Sequence, residues 1–219
     1  MLDWEADLGA LAERLGVGQP NPVANSPSEA ALAGPWALPF GLVEAAQKET
    51  ARRGASYAAR WSVMRPGASG QLGYYVERAL IWQIGDGLWL EHHASGHVLS
   101  GGVLVLGNCL YAITADSSDD SFNFYLLSGI AGPRALFLDG IMMSAGCGVH
   151  DDSFAMPMVF TRAGELENEA RDDEWARGGS PIGKLVATDL PPKVRAVFER
   201  DFGPTAAATG GDAILRIRR

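Results

Sequence analysis

Three histidines come close together in the middle of the chain, in the run Glu91-His92-His93-Ala94-Ser95-Gly96-His97. Imidazoles at such spacing are the commonest raw material of a zinc or other transition-metal site, so His92, His93 and His97 are candidate ligands. On a strand, His93 and His97 would share a face. Ser95-Gly96 is a turn signal, and a turn there would separate them. A second constellation is Cys147 with His150-Asp151-Asp152 in a Gly-rich run. A Cys–His pair can act as nucleophile and base, but no third orienting group is identifiable, and Gly and Asp are also ordinary turn residues. Asp116, Asp119 and Asp120 flank serines but lack the glycine and the ligand spacing of a calcium loop. No Gly-Lys-Ser/Thr phosphate loop and no Gly-x-Ser-x-Gly elbow occurs. The sequence identifies no cofactor and no catalytic residue, and leans away from an enzyme.

A third group could bind rather than react. Trp61, Trp82, Trp89, Tyr111 and Tyr125 fall in one region, and Arg60 and Arg78 are its nearest cations. Aromatic walls with an inward arginine suit a small ligand bearing a carboxylate or phosphate. The default for these arginines is outward.

These residues must be held by strands. From Ala55 to Gly164 the hydrophobic period is two, with turn residues every eight to twelve positions. Expected strands run over 57–64, 74–84, 88–93, 98–106, 109–114, 122–127, 135–143 and 154–162, and Asp86-Gly87 is the strongest hairpin signal among the turns. No crossover helix interrupts the series, so a parallel sheet is not expected. The expected fold is mainly β with flanking helices, an antiparallel up-and-down meander closing into a barrel or barrel-like sheet. Charge nearly vanishes between Leu99 and Ala115, which predicts a strand buried on both faces or lining a closed barrel.

The flanks differ. Residues 1–54 read as a helix over 1–17, a Pro-rich arm over 18–28 and a second helix over 40–53 with a basic end, Lys48, Arg52 and Arg53. Residues 165–219 read as a charged helix or loop over 165–177, a short helix over 193–202 and a last strand over 213–217. Of the 219 residues 47% are hydrophobic, enough for one sizeable core, and the net charge is −8. Such a surface disfavours nucleic acid as a partner of this chain alone. No apolar run is long enough for a membrane helix, and the acidic N-terminus does not look like a leader, so no membrane partner and a cytoplasmic location are expected. Buried thiols at Cys109 and Cys147 fit that compartment, and a disulfide between them would require their strands to meet.

The β region resembles a domain found C-terminal to helix-turn-helix DNA-binding domains in proteobacterial regulators. The resemblance rests on four segments. They are Tyr57–Gly67, Gly101–Tyr111, Phe124-Tyr125-Leu126-Leu127 and Leu136–Ser144, about half the chain. It implies a sensory or regulatory role and carries no ligand residues with it. Leu11–Pro20 looks like the first helix and turn of a helix-turn-helix, but Pro22 and Pro27 fall where a recognition helix would run. The expected function is therefore a non-enzymatic, small-molecule-binding or regulatory domain, acting as a homodimer. The alternatives are an enzyme with a histidine site at the barrel mouth and a protein-interaction module of a transcription regulator.

Overall fold

Strict alternation of apolar and polar residues leaves each strand one face to bury, and here eight strands bury that face against one another. In the computed structural model β1 (Ala59–Pro66), β2 (Tyr74–Ile84), β3 (Gly87–Ala94), β4 (His97–Leu106), β5 (Cys109–Asp116), β6 (Phe122–Gly129), β7 (Phe137–Ala145) and β8 (Phe154–Gly164) follow in chain order. The structure describes residues 40–67, 73–94, 96–116, 121–129, 132–145, 154–178 and 182–199. The chain divides into two compact units, Met1–Val43 and Glu44–Arg219, and almost everything described belongs to the second. The expected N-terminal helix and Pro-rich arm, the last strand over 213–217, and Cys147 with His150-Asp151-Asp152 lie outside the described residues.

Each strand pairs antiparallel with the next, and β1 pairs with both β2 and β8, so the sheet closes. The expected meander is a closed eight-stranded barrel. The Ile84–Gly87 pair leaves a two-residue loop, Gly85-Asp86. Gly85 carries φ of 55°, the left-handed conformation such a hairpin needs. The turn lies where the Asp-Gly signal put it, one residue earlier in phase. At Gly101 and Gly140 the neighbouring strand comes so close that a Cβ would stand 1.9 Å from the carbonyl oxygens of Ile113 and Leu126. Both glycines face inward and let the sheet coil tightly.

Inside, Ala59, Trp61, Val63, Ile81, Leu90, Val105, Leu110, Leu127, Leu138, Met158 and Phe160 form one core. Around the outside lie a three-residue 3-10 turn (Gly54–Ser56) and three helices, α1 (Phe40–Arg53), α2 (Glu169–Arg177) and α3 (Pro192–Phe198). Asn168 caps α2 by accepting from Arg171 N–H. Helix α3 buries Val194 and Val197 against Val159, Met64 and Tyr74 on the outer face of β8, β1 and β2. A short strand absent from the sequence reading, β9 (Ile182–Leu185), pairs with Tyr74 and Val76 of β2. It takes the edge that β3 vacates, because β3 pairs only from Arg78 onward.

Of the two alternatives for the uncharged stretch from Leu99 to Ala115, the structure shows the second. The stretch lines the closed barrel on one face, while Tyr111 and Ile113 on the other are 43% and 50% exposed.

Candidate functional site

The two ends of the barrel are built differently. At one end α1 delivers Thr50, whose hydroxyl donates to Ala46 O and accepts from Val105 N–H. Strand β4 outruns β3 here, and Thr50 supplies the acceptor that β3 does not. Arg53 donates to Gly107 O, Asn108 Oδ1 and the Tyr57 hydroxyl. Arg162, with 7% of its side chain exposed, donates to the carbonyls of Ser56, Ala58 and Ala135 and lies against the Trp61 ring. Thr50, Arg53 and Arg162 thus spend their bonds on the fold itself, which makes this a closed end.

At the other end the inward positions of β1, β2, β3, β5 and β6 turn polar. Parity carries Arg65 from the Trp61–Val63 face, Glu77 from the Ala79–Ile81 face and His92 from the Leu88–Leu90 face, all into the barrel. Arg65 grips Glu77 with two bonds, Nε to Oε2 at 2.9 Å and a terminal nitrogen to Oε1 at 2.6 Å. His92 Nε2 lies 3.0 Å from Glu77 Oε2, and His92 Nδ1 lies 3.0 Å from the Tyr125 hydroxyl. Both Glu77 and His92 are buried at 3% and 0% exposure, so the four groups form one chain inside the protein.

The electrostatics of that chain are definite. Burial alone would raise the Glu77 carboxyl, but hydrogen bonds from His92 and Arg65, with their charges, overcome it and hold the group down at about 2. Burial pushes the Tyr125 phenol well above its usual value, and the Glu77 charge adds to this. Glu77 can only accept, so Nε2 of His92 donates to it, and Nδ1 meets the Tyr125 hydroxyl. Tyr125 is thus a neutral hydroxyl at physiological pH.

Beside Tyr125 the sequence of bonds stops. Thr114 and Asn123 face each other across β5 and β6. Both are buried. Thr114 Oγ1 reaches only the Tyr125 hydroxyl, and Asn123 Nδ2 has no hydrogen-bond partner among the described residues. At the rim, His97 Nδ1 lies 2.6 Å from Oδ2 of the buried Asp116, with half of the imidazole exposed.

The candidates from sequence fall in several places. Tyr125 and His92 lie in the polar layer. Trp61 is in the middle of the core, its Nε1–H donating to Tyr57 O. Arg60 and Arg78 lie on the outer wall and hold α2. Arg60 donates to Asp172 and Glu167, and Arg78 donates to Trp175 O and stacks 5.0 Å from its ring. Trp82 and Trp89 pair across β2 and β3 on the outer face, and Tyr111 is exposed there as well. The three histidines do not converge. The turn at Gly96 pairs Ala94 with His97, which leaves His93 outside, bonded to Glu91, and His92 inside. Among the described residues no group of three His, Cys, Asp or Glu side chains is placed to hold a metal. Sequence reasoning missed Arg65, Glu77, Thr114 and Asn123. The signal available was Glu77, a carboxylate on an otherwise apolar inward face.

Among the described residues no helix is long and apolar enough to cross a membrane. Comparison with protein-family models, with curated proteins and with solved structures returns no match.

Proposed function

We propose that this chain is a non-enzymatic, small-molecule-binding regulatory domain whose ligand docks at the polar end of the barrel. One observation carries the reading: Asn123 Nδ2 is buried without a partner among the described residues, beside Thr114 and the bonded Arg65–Glu77–His92–Tyr125 chain. Leaving such a group unsatisfied costs about 1–3 kcal/mol, and a ligand oxygen that accepts from it would recover that cost. Trp61, Met158 and Phe160 fill the barrel below, so the ligand is small and sits shallow. A raised phenol is a poor base or nucleophile, which favours binding over catalysis at Tyr125. The regulatory part of the reading rests on the resemblance to sensory domains of helix-turn-helix regulators.

Native mass spectrometry of the purified chain tests it. The expected result is a bound small molecule that is lost in a Thr114→Val, Asn123→Leu variant. Identical spectra for wild type and variant, with the variant the more stable protein, would sink the reading.

The His97–Asp116 pair supports a second reading, an enzyme with His97 as acid–base group oriented by Asp116. A hydrolase panel on wild type and His97→Ala decides it: equal rates on every substrate rule it out.

A further inference from the structure

The outer wall of the barrel is uneven. On β1, β2 and β8 it is covered by α2, α3 and β9, with ion pairs such as Arg60–Asp172 among the contacts. On β4 to β7 no helix or added strand among the described residues lies over it. Outward positions on these four strands carry one charged side chain, Asp139; the rest are apolar or small and neutral. Val98, Tyr111, Ile113, Phe122, Phe124 and Met143 are each between 40% and 51% exposed. The register aligns them. Ile113 faces Phe124 and Phe124 faces Met143, while Tyr111 faces Leu126 in the next row.

At about 200 Å² for a large apolar side chain, the six leave roughly 500–600 Å² of apolar surface in one patch. That is at the upper end of the largest patch on an ordinary monomer, about 300–600 Å². With the half-buried Leu104, Leu126 and Ile141 in the same rows, it approaches the ~800 Å² per partner of a stable interface. We infer that the outer face of β4–β7 is the contact surface of a homodimer, closed by a two-fold axis through β5 and β6.

Charge favours this face over the rest of the surface for contact between two copies. The chain carries a net charge of −8, so two copies repel over most of their surface. This face is where they approach at least cost. Its shape also suits self-pairing. Gly102 lies between Trp89 and Ile113 in the same row, and nothing stands within 4 Å of where its Cβ would be. The notch receives an aromatic side chain from the second copy, and by symmetry the reverse contact forms too. A lipid surface fits less well, since a bilayer-spanning barrel carries its apolar band around the whole circumference.

Sedimentation equilibrium on the full chain in the micromolar range tests this. Wild type is expected at twice the 23.2 kDa chain mass. Phe124→Glu and Ile113→Glu each place a charge in the apolar centre and are expected to weaken the dimer by about 100-fold or more, with an unchanged circular dichroism spectrum. Ala196→Glu, on the exposed side of α3, is expected to leave the mass at the dimer value. Should Phe124→Glu unfold the chain, Met143→Lys repeats the test from the neighbouring strand. A wild-type monomer, a dimer that survives Phe124→Glu and Ile113→Glu, or flotation of the chain with neutral lipid vesicles would each overturn the inference.

Discussion

The closed and polar ends of this barrel use the same charged residue types to different effect. At the closed end Arg162 spends most of its donors on backbone carbonyls where strands stop and neighbours outrun them, and Arg53 adds a bond to Gly107 O. These bonds replace a ladder that geometry has ended. At the polar end Arg65 spends two donors on one carboxylate, and that carboxylate holds a histidine, which holds a tyrosine. These bonds fix side chains relative to one another and leave Asn123 Nδ2 over. A buried group of that kind calls for an explanation, and the proposed ligand supplies one.

Breaking the closed end should have the largest effect. Arg162→Ala strands three carbonyls and is expected to cost about 4 kcal/mol, read from urea midpoints. At the polar end, Glu77→Gln leaves the Arg65 charge buried against a neutral partner, and about 3 kcal/mol is expected. The pH dependence sharpens this. The Glu77 carboxyl is lowered in the folded state from 4.5 to about 2. Its contribution, on the order of 3 kcal/mol, is therefore complete above the unfolded value and lost as pH falls from about 4.5 towards 2. The gap between wild type and Glu77→Gln should shrink over that window; a gap constant from pH 6 to pH 2 (about the whole range of the transition) would contradict the ion chain. Thr114→Val with Asn123→Leu should reverse the sign, stabilising the ligand-free chain by about 1–2 kcal/mol because it removes an unpaired polar group. The smallest effect is expected for Lys48→Ala on α1. It breaks an exposed pair with Glu44 and should change stability by less than about 0.5 kcal/mol.

Much of the barrel was legible from local pattern. Gly85-Asp86 and Gly107-Asn108 punctuate runs of period two, and a turn acts on its own neighbours, so strands β2 to β6 could be placed within a few residues. Closure was not legible in the same way, because the pairing of Trp61 with Arg162 joins residues far apart in the chain. Strand β9 was missed because four residues, Ile182–Leu185, carry too little period to be seen. The polar layer was half visible. His92 and Tyr125 stood out as residue types, whereas Arg65 and Glu77 did not. Only their inward parity and the register of β1 on β2, with Val63 opposite Glu77, reveal that they meet inside. Arg60 and Arg78 show the converse, since cations near aromatic residues in sequence clamp a helix from outside.

The closure of β1 on β8 has a consequence for how the chain acquires its shape. Seven of the eight barrel pairings join strands that follow one another, and each can zip from its own turn. The eighth must wait until both extremities of the sheet exist, and it pays the entropy of drawing together a long loop before its contacts repay anything. That seam, where Arg60 faces Gly164, is therefore expected to form last, with Arg162 bonded across it to Ala58 O.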